Sequence, residues 1–77
     1  MNYFWKGVID SMRLVINGKE TEIGSSLSLY DFLEQTGINP SSVIVEYNFE
    51  IPEKVKWQKV ILKEGDNLEI VKFIGGG

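Results

Sequence analysis

The sequence predicts an α+β domain, a mixed sheet of four or five short strands with one main helix packed on one face. Three observations predict it. Apolar, β-branched runs of about five residues recur along the chain, Asn17-Gly18 sits between the first run and the next, and one stretch, Leu29 to about Thr36, has helical spacing. Asn-Gly between two such runs marks a hairpin, because a type I′ turn needs φ > 0 at both central residues. A single helix must bury its apolar stripe somewhere, and the sheet is the only large surface available, which gives two layers.

Met12-Arg13-Leu14-Val15-Ile16 is the first expected strand and Lys19-Glu20-Thr21-Glu22-Ile23 its return. Alternation turns Leu14, Ile16, Thr21 and Ile23 inward and leaves Glu20 and Glu22 in water. Gly24-Ser25-Ser26 breaks the strand. Ser28 reads as an N-cap, with Asp31 three residues on as a shorter-armed capping-box partner. Leu29, Phe32 and Leu33 follow at i, i+3 and i+4, the stripe of an amphipathic helix. Gly37 stands where a C′ residue belongs, and Pro40 prevents resumption.

Val43-Ile44-Val45-Glu46-Tyr47 opens as a nearly continuous apolar run, which suits a central strand. Pro52 lacks a backbone donor and ends any ladder there. Glu53 to Gln58 reads as a short helical turn that tucks in Val55 or Trp57. Lys59 to Lys63 is expected as a short strand, Glu64 to Asn67 as a turn, and Leu68 to Phe73 as the last strand. The expected core is Leu14, Ile16, Ile23, Leu29, Phe32, Leu33, Val43, Val45, Val60, Leu62, Leu68 and Ile70. Trp57 is expected there too, since a large aromatic is valuable in a thin core.

Composition removes several classes of function. The 77 residues hold one small domain and contain no cysteine and no histidine. Zinc sites, disulfides, and Ser-His or Cys-His nucleophile pairs therefore have no residues to build on. A net charge of −3 lacks the basic face of a nucleic-acid binder. No stretch approaches the roughly 20 apolar residues of a membrane span. The expectation is a cytoplasmic protein with no nucleic-acid or membrane partner. The acidic residues Glu20, Glu22, Glu50, Glu53, Glu64 and Asp66 read as a solvated face, because a catalytic carboxylate pair needs a cleft that so small a body has little room for.

Three segments organise the chain. Residues 1–11 carry three consecutive aromatics, Tyr3-Phe4-Trp5, with no clear period. They could pack on the domain, meet a partner, or precede a start at Met12. Residues 12–74 form the domain. Residues 75–77 are Gly75-Gly76-Gly77, which no fold needs at a chain end. Extended, three residues reach roughly 10 Å through a slot too narrow for a side chain. The expectation is a thin arm that delivers the Gly77 carboxylate, with Gly76 beside it, into a partner's active site. Alternation places Val71 and Phe73 on the face opposite the helix. With Ile74, and with Val15 or Val45 from neighbouring strands, they are the expected docking patch beside the tail.

Taken together, the Asn17-Gly18 hairpin, the capped helix ending at Gly37, Val43-Ile44-Val45-Glu46-Tyr47-Asn48, Ile51-Pro52, Trp57, Lys63-Glu64-Gly65-Asp66, Ile70-Val71 and Gly75-Gly76-Gly77 resemble the ThiS family. That resemblance covers about Met12 to Gly77. It implies a ubiquitin-like β-grasp fold and a sulfur carrier of thiamin biosynthesis, not an enzyme. By the same resemblance, an adenylating enzyme of the ubiquitin-activating type uses ATP to attach AMP to Gly77. Sulfur from a cysteine desulfurase system then replaces AMP, and thiazole synthase receives it from the thiocarboxylate. No cofactor is bound; AMP and sulfur are carried only transiently at Gly77. Alternatives with the same fold and tail are a carrier of the molybdopterin-synthase small-subunit type and a ubiquitin-like modifier.

The chain departs from the family's pattern in two places. Residues 1–11 precede its usual start. Asn48-Phe49 stands where Asn-Gly is common, and phenylalanine does not take φ > 0 cheaply, so a different turn geometry is expected there.

Overall fold

The computed structural model describes residues 11–24 and 26–73. Four strands form one mixed sheet: β1 (Met12–Ile16), β2 (Lys19–Ile23), β3 (Val43–Tyr47) and β4 (Asn67–Lys72). Their order is β2-β1-β4-β3. β1 and β4 run parallel at the centre, and β2 and β3 pair antiparallel on the outside. One helix, α1 (Leu29–Gln35), lies across one face and buries Leu29, Phe32 and Leu33.

Local chemistry explains each junction. Asn17 and Gly18 both take positive φ, 51° and 81°, so the first hairpin is the I′ turn the sequence specifies. The Ser28 hydroxyl oxygen accepts the Asp31 N–H at 3.0 Å and caps α1. At the other end the Gly37 N–H donates to the Glu34 carbonyl and the Ile38 N–H to the Leu33 carbonyl. That is a Schellman ending, and Gly37 supplies the φ of +81° it requires. Ile38 then packs against the core beyond the helix end.

Leu14, Leu29, Phe32, Leu33, Val43, Val45, Trp57, Leu62 and Leu68 are buried. Ile16, Ile23, Val60 and Ile70, expected in the core, are only partly buried and pack on its margin. For Ile16 and Ile70 the short helix is the reason: with seven residues it leaves an open hollow of about 610 Å³ over them and Ile38.

Four expectations are corrected. Val43–Tyr47 is an outer strand, not a central one; the apolar run reflects different tasks on two faces, with Val43 and Val45 buried and Ile44 exposed. Val45 therefore belongs to the core and is not available to a surface patch. Lys59–Lys63 is not a strand. A 3-10 helix occupies Lys54–Lys59, and the chain beyond it pairs with the segment that enters α1. The Leu29 N–H donates to the Val60 carbonyl and the Leu62 N–H to the Leu27 carbonyl, with one bridge between Ser28 and Ile61. These donors are thus satisfied away from the sheet. The same 3-10 helix buries Trp57, whose indole N–H donates to the Pro52 carbonyl, and leaves Val55 exposed.

The fourth correction concerns Asn48-Phe49. Their φ values are 49° and 71°, and Tyr47 and Glu50 exchange both backbone hydrogen bonds across the turn. The connection is a second two-residue I′ turn, not another geometry. Tertiary contacts hold it there. The Asn48 side chain accepts the Asn67 N–H at 2.8 Å and donates to Asp66 Oδ1 at 3.1 Å, and the Asn48 N–H donates to the Asn67 carbonyl. Asn48 is thereby fixed, and Phe49 is carried into positive φ by its neighbour.

Asp66 is buried at 4% exposure, and its carboxylate also accepts the Tyr47 hydroxyl at 2.8 Å and the Lys63 N–H at 2.7 Å. Burial, followed by the hydrogen bond to this carboxylate and its charge, raises the Tyr47 phenol above its ordinary value, while Lys63 opposes the shift. Tyr47→Phe should lower stability by about 1.5–3 kcal/mol, the range for a hydrogen bond to a charged group, with the half-buried hydroxyl favouring the low end. A phenol with a raised folded-state pKa contributes stability below the ordinary tyrosine value and loses it as pH rises through the folded value. The difference between the two proteins in urea unfolding should therefore be flat near neutral pH and shrink above about pH 10.

Candidate functional site

The tail residues Gly75, Gly76 and Gly77, and Ile74 with them, lie outside the described residues, as do residues 1–10. The structure shows what leads up to the tail. β4 is paired through Lys72, and one residue later the Phe73 N–H still donates to the Ser42 carbonyl at 3.0 Å. The chain is thus held by the body up to Phe73.

Val71 and Phe73 are both exposed, but they meet different neighbours. Val71 sits opposite Ile44 on β3, on the face away from α1. Phe73 lies just past the last ladder residue, and its ring stands 5.9 Å from the Lys54 ammonium, which is also 5.9 Å from the Trp57 ring. One cation thus lies between two aromatic rings, within the distance at which a ring quadrupole attracts it. Val71 and Phe73 therefore flank the root of the tail from different directions.

On the open face of the sheet, Ile44, Phe49, Ile51 and Val71 line a shallow groove of about 340 Å³ together with Glu46 and Glu69. Ile44, Ile51 and Phe49 were not expected there. For Ile44 the signal was available, since it alternates with the buried Val43 and Val45. For Phe49 and Ile51 it was not, because their position depends on the second I′ turn. Phe49 is 79% exposed. Glu46 and Glu69 are directly opposite each other in the ladder, a like-charge pair that costs stability.

Among the described residues there is no group of three or more Asp, Glu, His or Cys that could hold a metal ion. No helix among them is long and apolar enough to cross a membrane.

Comparison with known proteins gives this arrangement a family. Residues 10–77 match the ThiS family. The chain belongs to the ThiS family. It is 37% identical over 65 residues to the sulfur carrier protein ThiS of Bacillus subtilis, a match covering 83% of this chain and 98% of that protein. It is 44% identical over 66 residues to a thiazole synthase of Paramagnetospirillum magneticum, covering 86% of this chain but only 20% of the synthase. The chain thus spans about a fifth of that relative's length. In structure it resembles the thiamine biosynthesis protein ThiS of Geobacter metallireducens, with a TM-score of 0.75 and 32% identity over 86% of this chain and all of the other. The four-stranded mixed sheet with one helix is the β-grasp fold of this family.

Phe49 is the position where this ThiS-family chain carries backbone strain. A left-handed conformation costs an L-residue roughly 1–2 kcal/mol. Glycine avoids that cost but loses roughly 0.5–1 kcal/mol more in chain entropy. Phe49→Gly should therefore raise stability by up to about 1.5 kcal/mol in urea unfolding. A loss of stability would show that the exposed ring contributes packing that outweighs the strain.

Proposed function

We propose that this chain is a sulfur carrier for thiazole formation in thiamin biosynthesis, and that it works through a thiocarboxylate at Gly77. The observation that carries the reading is the family match, which runs through Gly77 and so includes the three glycines. The B. subtilis sulfur carrier, covered over 98% of its length, supports the same function. Similarity to one fifth of a thiazole synthase supports thiazole synthase as the recipient.

The chemistry needs no cysteine or metal on the carrier. A terminal carboxyl has a reference pKa of about 3.3–3.7, so at neutral pH it is ionised and a poor electrophile. The adenylating partner joins it to AMP from ATP and releases pyrophosphate. The acyl-adenylate then has a good leaving group, which splits one hard step into two easier ones. The persulfide of a cysteine desulfurase system attacks the carbonyl carbon and expels AMP, and a thiol reductant then cleaves the resulting acyl disulfide to leave the thiocarboxylate. The terminal carbon of Gly77 then holds the sulfur. ATP and AMP belong to the partner's site, and we place the reaction in the cytoplasm, where ATP is available.

In this reading the body aims the tail. Phe73 is hydrogen-bonded to Ser42, so the arm begins at a fixed point, and after Ile74 three side-chain-free residues lead into the partner. Val71, Phe73 and Ile74 contact the partner around that point, with Ile44 extending the surface on the Val71 side. Val71→Asp and Phe73→Asp should each weaken binding to the adenylating enzyme while changing thermal stability by no more than about 0.5 kcal/mol, as is usual for exposed positions. Unfolding of either variant would assign that residue to the core instead.

The tail makes the sharper test. Gly76→Val restricts the backbone and adds a branched side chain where the slot walls would be. One alanine added after Gly77 moves the carboxylate by about 3.5 Å, and misplacement by even 1 Å can cost roughly 100-fold. Both variants should fold normally, yet ATP–pyrophosphate exchange with the adenylating enzyme should collapse. Exchange at the unmodified rate in both would remove the tail from the mechanism. Intact mass from cells separates the clients: a species about 16 Da heavier is the thiocarboxylate of a carrier, whereas an isopeptide-linked ladder belongs to a modifier.

A further inference from the structure

We propose that the hollow on the helix side of the sheet docks an extended, acidic segment of a partner protein. An aliphatic side chain of that segment sits on Ile16, Ile38 and Ile70, and a carboxylate at either end meets Lys19 and Lys72. The starting observation is that pleating sorts the charges of the strands onto opposite faces. Lys19 and Lys72 line the helix-side hollow, whereas Glu46 and Glu69 line the groove on the open face. Glu20 and Glu22 alternate with Lys19 and Thr21, so they too fall on the open face. A protein of net charge −3 thus keeps one apolar hollow whose described lining includes two cations and no carboxylate.

The two ammoniums are also uncommitted. The other polar side chains around the hollow are engaged within the domain. The Thr36 hydroxyl donates to the Phe32 and Leu33 carbonyls, the Thr21 hydroxyl to the Lys19 carbonyl, and the Asn17 amide to the Ile70 carbonyl. Neither Lys19 Nζ nor Lys72 Nζ forms a hydrogen bond or ion pair with another described residue. An occupant must therefore supply acceptors, and carboxylates match the cations in charge.

Register sets the spacing of those acceptors. Lys19 and Leu68 pair with Ile16 from opposite sides, and Lys72 lies four residues further along β4. Two strand spacings across and four residue rises along put the lysine Cα atoms roughly 16 Å apart. One small anion cannot meet both. An extended polypeptide can, because its residues i, i+2 and i+4 share one face and span roughly 13 Å, a difference that flexible lysine arms close. The matching pattern is acid-x-aliphatic-x-acid. An open hollow points the same way: a small ligand needs walls that bury most of its surface, whereas a partner's segment is held by the rest of its own domain. Docking on this side leaves Ile44 and Val71 accessible and is independent of the docking proposed above.

The test is an NMR titration of the isotope-labelled full chain, without ATP or enzyme, using the end-blocked peptide Ser-Glu-Ser-Leu-Ser-Glu-Ser as probe. The methyls of Ile16, Ile38 and Ile70 should shift to saturation, while those of Ile44 and Val71 stay in place. Lys19→Glu and Lys72→Glu should each weaken binding several-fold, with unchanged resonances of the buried Trp57 showing that the fold is intact. Replacing both glutamates of the peptide by lysine, or its leucine by serine, should also weaken binding several-fold. Equal binding of the lysine peptide would overturn the proposal. So would shifts at Ile44 and Val71 instead, or no saturable shift at millimolar peptide. Hollow shifts that follow dilution of the protein without peptide would make a second copy the occupant and overturn it as well.

Discussion

A buried carboxylate organises the end of this small sheet. Asp66 sits where β4 begins, and three separate pieces of chain converge on it. Its carbonyl receives the Val15 N–H from β1, while its carboxylate receives Tyr47 at the end of β3, Asn48 in the turn and Lys63 in the preceding loop. A charge taken out of water is costly unless hydrogen-bonded, and here the nearby Lys63 N–H is joined by donors from Tyr47 and Asn48, on the far side of the 3-10 helix in sequence. The residue is therefore less a source of net stability than a specification of geometry. Only one arrangement of β1, β3 and β4 gives it all its partners.

Two asparagines extend that specification along β4. Asn17 and Asn48 each open a two-residue turn at positive φ, and each turns its amide onto the backbone of β4. Asn17 exchanges hydrogen bonds with the Ile70 N–H and carbonyl, at 2.7 and 3.2 Å, and Asn48 accepts from the Asn67 N–H. β4 is thus clamped from both neighbouring strands. Its far end, at Phe73, is the root of the glycine tail, so the contacts that define the sheet also fix where the tail begins. The fold serves the proposed chemistry by aiming a carboxylate, not by surrounding one.

The two faces of the sheet share the remaining work unequally. The helix side holds the core. The open side combines an exposed apolar groove, a like-charge pair and a strained phenylalanine, and none of these helps the domain stay folded. A thin domain keeps such a surface only with a margin elsewhere, and the buried Leu and Val set, together with Trp57, provides it.

The sequence by itself determined whatever depends on neighbours along the chain. Asn17-Gly18 demands positive φ twice, Ser28 and Gly37 bound the helix, and spacing of three and four marks Leu29, Phe32 and Leu33 for burial. The family was legible for the same reason: its turns, caps and terminal glycines are local features in a fixed order. Tertiary structure decided what depends on distant partners. Val43–Tyr47 became an outer strand because β4 took the place beside β1. Lys59–Lys63 gave up its strand pattern because Leu27 and Leu29 offered its backbone other partners. Asn48-Phe49 adopted the I′ turn against the preference of phenylalanine, because Asp66 and Asn67 hold Asn48 and the next residue has no other path. Local preferences amount to about 1 kcal/mol per residue, and several converging hydrogen bonds on a buried charge outweigh them.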